Sequence, residues 1–136
     1  MKKLVVVVSF LLMTTFVFGT TATEEEQYQA RMKHTGGYMR ALRENFRANN
    51  REKVISSAKE LASLFKQEEK FWAKRKTDDA VKWSQEAQAS ARAIVAAAKK
   101  KEDDQAAVAL KNLTNSCTAC HVAHRQLTSG CSGRIK

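Results

Sequence analysis

The sequence predicts an all-α protein, an antiparallel four-helix bundle, and three observations lead there. The chain has no proline, and Ala, Lys, Glu, Gln and Arg dominate its helical part; these residues lose little on entering a helix. Apolar residues recur at intervals of three and four in four successive runs, the period of a helix with one buried face. Only a few polar residues separate the runs, so consecutive helices fold back on one another as antiparallel neighbours.

The first helix spans about Glu24 to Ala48. Three glutamates in its first turn suit the positive end of the helix dipole. Its apolar row is Tyr28, Met32, Met39, Leu42 and Phe46, with Gly36 in the gap. The second helix follows Asn49-Asn50 and carries Val54, Ala58, Leu61, Leu64 and Phe65, reaching Trp72. Lys74-Arg75-Lys76 forms a solvated turn. Thr77 is a good N-cap for the third helix, with Asp78 and Asp79 behind it. The inner row there is Ala80, Trp83, Ala87, Ala91, Ile94 and Val95. The fourth helix starts near Asp103-Asp104, carries Ala107, Leu110 and Leu113, and ends at Ser129-Gly130. No segment of this part reads as a strand.

Ahead of the first helix, Lys2-Lys3 precede a largely apolar run from Leu4 to Phe18 and then the small residues Gly19-Thr20-Thr21-Ala22. That order of regions reads as a secretory signal. The run falls short of the roughly 20 residues of a membrane span, although an uncleaved anchor is the alternative. Cleavage after Ala22 or Gly19 divides the chain into a signal peptide, 1–22, and a helical domain, 23–136. Loss of Lys2 and Lys3 then lowers the net charge from +10 to +8. The expected location is the periplasm, with no stable membrane insertion after cleavage. In an oxidising compartment the leftover Cys131 links two chains or stays a free thiol.

Cys117-Thr118-Ala119-Cys120-His121 carries the chemistry. Cys-x-x-Cys-His is the attachment signature of a c-type haem. On a helix, positions i, i+3 and i+4 share one face. Cys117 and Cys120 therefore point together toward two vinyl edges of a porphyrin, and His121 reaches the iron. Two other uses compete. A thioredoxin-like pair needs Cys-x-x-Cys at a helix N-terminus, whereas this pair lies inside the last helical run. A zinc site would have to use Cys117, Cys120, His121 and His124 from consecutive turns of one helix, a poor tetrahedron. Export reinforces the haem reading, because covalent attachment in bacteria occurs outside the inner membrane.

A C-terminal Cys-x-x-Cys-His on the fourth helix of an exported bundle resembles the class II cytochromes c, the cytochrome c′ family. Met32-Lys33-His34-Thr35-Gly36-Gly37-Tyr38-Met39 is similar to the Met-Lys-x-x-Gly-x-x-Met run of the methionine-ligated, low-spin members. Cys120-His121-Val122-Ala123-His124-Arg125 is similar to the family's Cys-His-x-x-aromatic-Arg. The resemblance implies one haem c per chain, at one end of the bundle between the first and last helices. It implies thioethers from Cys117 and Cys120, His121 as proximal ligand and Met32 at the distal position. Gly36 would let the first helix lie close to the porphyrin, and Arg125 would pair with a propionate. Two departures stand out. The arginine that many members carry four residues before the distal position is Tyr28 here, with Arg31 on a different face. His124 replaces the aromatic after the motif. Met39 reads as core and His34 as exposed.

The implied function is one-electron transfer, with a basic surface that suits acidic redox partner proteins. If Met32 does not ligate, the alternative is a five-coordinate binder of NO or CO. A non-haem helical interaction protein is the third reading. No nucleophile–base set and no phosphate loop point to an enzyme. The basic charge lacks the interleaved aromatics of a single-strand nucleic-acid groove. The resemblance also allows a homodimer through the first two helices.

Overall fold

The computed structural model describes residues 22–127 and 133–135. Within them the chain is an all-α, antiparallel four-helix bundle: α1 (Glu24–Arg47), α2 (Arg51–Lys74), α3 (Asp78–Lys100) and α4 (Asp103–His124). Most of the predicted export signal lies outside the described residues. None of the described helices is long and apolar enough to cross a membrane.

Local chemistry sets the helix ends. Thr23 and Glu26 form a capping box, in which Glu26 N–H donates to Thr23 Oγ1 at 3.2 Å and Thr23 N–H donates to Glu26 Oε2 at 2.8 Å. Asn50 caps α2 by accepting from Lys53 N–H at 3.3 Å. Thr77 stands at the N-cap of α3, as the sequence predicts, but its hydroxyl does not cap; it donates to the Arg75 carbonyl at 3.3 Å. The Asp79 carboxylate accepts from Ala80 N–H at 2.8 Å instead.

All three helix–helix turns share one construction. Asn50, Thr77 and Glu102 donate back to the carbonyls of Asn45, Trp72 and Ala97, five residues earlier. The preceding residues, Asn49, Lys76 and Lys101, have φ of 52°, 54° and 63° and donate three residues back. This is the Schellman arrangement, which usually places glycine at the left-handed position. The chain closes it twice with lysine, so tight turns form without the glycine signal that normally marks them.

The core runs the length of the bundle. Leu42, Ala58, Leu61, Ala91, Ile94 and Leu113 are fully buried in one cluster. A second cluster at the other end joins Tyr28, Phe71, Trp72 and Ala80. The buried face of α3 is largely alanine: Ala80, Ala87, Ala91, Ala97 and Ala98. Small side chains let α3 approach closely, and its packing against α2 and α4 is the most extensive in the fold. The stripe on α1 carries the bulkier Tyr28, Met39 and Leu42, and α1 packs mainly against α2.

Two expectations are corrected. In α4, Ala106 and Ala109 face the core and Ala107 is exposed; 106, 109 and 113 share the helix face that carries Leu113, and 107 lies off it. The helix ends at His124, not at Ser129-Gly130, which lie outside the described residues along with Cys131. Arg125 turns to extended backbone, and β1 (Arg125–Leu127) pairs antiparallel with β2 (Gly133–Ile135), Arg125 opposite Ile135. Ile135 packs against the Tyr28–Phe71–Trp72–Ala80 cluster. Burying that side chain is the physical reason for strands no alternation pattern announced.

Lys101→Gly is expected to stabilise the protein by about 1 kcal/mol, because glycine avoids the steric cost of a left-handed L-residue but brings some chain entropy of its own. A urea midpoint that moves up checks this; a midpoint that falls contradicts the turn geometry.

Candidate functional site

α1 and α4, the first and last helices, do not close on each other as the other neighbours do. They approach through side chains, as where Arg43 Nη2 donates to Thr114 Oγ1 at 3.5 Å. Toward the end that holds the N-terminus of α1 and the C-terminus of α4, a cavity of about 870 Å3 opens, bordered by all four helices. That volume lies in the range of small-molecule and cofactor sites.

The α4 wall carries Cys117, Cys120 and His121. Successive turns bring both cysteines to the cavity, as their i, i+3 spacing requires. Neither is in a disulfide, and both are partly buried. Burial pushes each thiol up to about 11, so both are neutral at physiological pH. The pair also lies near the C-terminus of its helix, where the dipole disfavours a thiolate. Both facts weigh against an activated redox pair, which needs a lowered thiol pKa. His121 is exposed at the rim; partial burial of its ring and the nearby Arg125 charge hold its pKa below the ordinary value. It is therefore mostly the neutral imidazole, the form that ligates metals. Among the described residues no three His, Cys, Asp or Glu side chains form a group that could hold a metal ion.

The α1 wall carries Met32, Gly36 and Met39. Met32 is partly buried and packs on the same cluster as Cys120. The two sequence motifs, far apart in the chain, thus face each other across one cavity. Met39 is buried core and His34 is exposed, as their positions on the helix predict. A Cβ added at Gly36 would meet no heavy atom within 4 Å. Open space lies beside the α1 backbone there, and glycine widens it.

α2 and α3 supply aromatic walls. Trp72 and Trp83 line the cavity. The His124 ring sits 5.1 Å from Trp72 and 6.0 Å from Trp83, between centroids. Its Nε2 lies 3.0 Å from Asp79 Oδ2. The histidine that departs from the aromatic pattern is therefore held among aromatics, and it ties the end of α4 to the start of α3. Behind it, Tyr28 stacks on Phe71 at 4.4 Å and meets Trp72 edge-on at 5.5 Å. Arg75 covers the outer face of Phe71 at 3.7 Å. Arg125 and Ile135 complete the lining.

Sequence reasoning missed the buried Glu68. It sits on the inner row of α2, three residues after Phe65 and four before Trp72, and a carboxylate on an apolar stripe was the available signal. Arg31 Nε donates to Glu68 Oε1 at 2.6 Å. Arg31 thus points at α2 and does not line the cavity. Glu68 Oε2 and Thr35 Oγ1 are buried with no hydrogen-bond partner, and both residues belong to the cavity wall. Burial pushes the Glu68 carboxyl up to about 7, against the opposing pull of Arg31.

Comparison of the chain with protein-family models, curated proteins and solved structures finds no match in any of the three.

The raised carboxyl has a measurable effect on the chain free of bound cofactor. Between the ordinary value of 4.5 and about 7, the folded state holds a proton that the unfolded state has lost. Stability from this group is complete below that window and falls as pH rises through it. The lowered pKa of His121 acts in the opposite sense. Comparing Glu68→Gln with the parent therefore isolates the carboxyl. The parent is expected to lose on the order of 1–3 kcal/mol more than the variant across the window, read from urea midpoints on either side. Equal losses would place Glu68 in water.

Proposed function

We propose that this chain is an exported c-type haem protein that carries single electrons. Its haem would lie between α1 and α4, bound through thioethers to Cys117 and Cys120, with His121 as proximal and Met32 as distal ligand. The observation that carries the reading is the shared cavity. The Cys-x-x-Cys-His segment of α4 and Met32 of α1 border the same space, a cavity between the first and last helices.

The residues present fit such a group. Two neutral thiols on adjacent turns face the cavity, a neutral imidazole stands one residue on, and a thioether lies on the facing helix. The space beside Gly36 lets a flat ring approach the α1 backbone. When bound, haem iron supplies reversible one-electron chemistry, and a methionine–histidine ligand pair favours the ferrous state. The protein's part is to hold and insulate. The Tyr28–Phe71–Trp72 cluster fixes the helix that carries Met32, and Trp83 and Ile135 add apolar lining to the cavity. Glu68 in the cavity wall, held from behind by Arg31, would tune the field within it. Arg125, the residue after α4, lines the cavity and would meet a propionate. The basic surface would steer acidic redox partners toward the chain. Export to the periplasm belongs to the same proposal, since the covalent linkage needs that compartment.

The visible spectrum of periplasmically expressed protein, oxidised and reduced, tests the ligand set. Sharp α and β bands on reduction, with no rapid change on adding CO, are expected. Met32→Ala is expected to give a five-coordinate, high-spin iron that takes CO, and to lower the potential within the roughly 0.8 V range that axial ligands command. A parent protein that is already high-spin and binds CO would make it a gas binder. A parent without a Soret band would leave a helical interaction protein.

A further inference from the structure

Away from the cavity, a groove of about 520 Å3 runs along the outer seam between α2 and α3. It lies toward the opposite end of the bundle, with Lys59 about 20 Å along α2 from Trp72 at the helical rise. Lys59, Arg92, Lys99 and Lys100 form its walls. Its floor is Ala62, Val95 and Ala96, and the first two pack against the main core, which makes that floor rigid. No acidic residue lines it. Arg92 lies within electrostatic reach of Glu69 further along the seam, but both oxygens of that carboxylate are already held, by Gln85 at 2.8 Å and Gln88 at 2.7 Å. Lysines in the last turn of α3 complement its dipole; that accounts for Lys99 and Lys100 but not for Lys59 and Arg92 across an apolar floor.

We propose that this groove docks an acidic amphipathic helical segment of a partner protein, its apolar edge on Ala62 and Val95 and its carboxylates on the flanking cations. Such a segment lays alternating apolar and charged positions into a groove of matching pattern. The other anionic surfaces fit less well. No aromatic lines the groove, so single-stranded nucleic acid finds no stacking platform. The floor is Ala62, Val95 and Ala96, with no large apolar or aromatic side chain to insert into a bilayer. Residues 1–21, 128–132 and 136, outside the described residues, contain no Asp or Glu and so bring no carboxylate side chain to these cations. Docking here leaves the cavity end free. The inference stands whether or not that cavity holds haem.

Isotope-labelled full-length protein, as purified, is titrated with a synthetic helical peptide bearing glutamates on either side of a leucine edge. The peptide with glutamine in place of glutamate, an oligo-dT strand and phosphatidylglycerol vesicles serve as comparisons. Amide shifts are expected to cluster at Lys59, Ala62, Val95 and Lys99. Reversing two facing charges, Lys59→Glu with Lys99→Glu, is expected to weaken binding by at least about tenfold, as like charges brought together do. The glutamine peptide should be weaker by a similar factor, and Lys111→Glu on α4 should change nothing. Val95→Asp, on the floor, should weaken the peptide without reversing a wall charge. Shifts elsewhere, indifference to charge reversal, tighter binding of the oligonucleotide or vesicles on this face, or burial of the groove by a second copy of the chain would each overturn the proposal.

Discussion

The alanine face of α3 governs this fold. Ala80, Ala87, Ala91, Ala97 and Ala98 let that helix pack closely against both α2 and α4. Packing at native density allows few voids, so the bulkier stripe on α1 is accommodated against α2, and α1 stands off from α4. The cavity is what remains. A larger residue at Ala87, which lines it, would enter this space directly. Site and core thus follow from one distribution of side-chain volume along four helices.

Much of this was legible in the sequence. The four apolar runs gave the helices within a few residues, and i, i+3 spacing placed both cysteines on one face. Met32, Met39 and His34 fell as helical phase demands. Beyond the Thr23–Glu26 capping box, whose Thr-x-x-Glu spacing is itself legible, the features without a sequence signal are non-local or unmarked. Schellman turns closed by lysine carry no glycine flag. The β1–β2 pair forms because Ile135 finds an apolar cluster assembled from three helices, information absent from either short strand. Glu68 announces itself only by interrupting an apolar row, and its partner Arg31 is thirty-seven residues away. The pairing of the Cys-x-x-Cys-His segment with Met32 came from resemblance; periodicity alone places each on an inner face but does not bring the two together.

Charge is divided unevenly along the bundle. At the cavity end several charged side chains are paired: Arg31 with Glu68, and Lys74 and Arg75 with Glu24. The exposed ion pairs among them contribute little to stability. The groove on the α2–α3 seam, by contrast, has cationic walls and no acidic lining. A haem protein with an insulated redox end and a separate anion-seeking groove would exchange electrons at one place and be held at another.

The central claim is that Cys117 and Cys120 hold haem covalently in the gap between α1 and α4. The most direct measurement is the intact mass of the denatured chain, purified from cells competent for haem attachment in the periplasm. Covalent attachment predicts the mass of the processed polypeptide plus one haem, unmoved by acidic organic extraction, with the haem increment lost in Cys117→Ser with Cys120→Ser. A mass equal to the bare polypeptide under those conditions would contradict it.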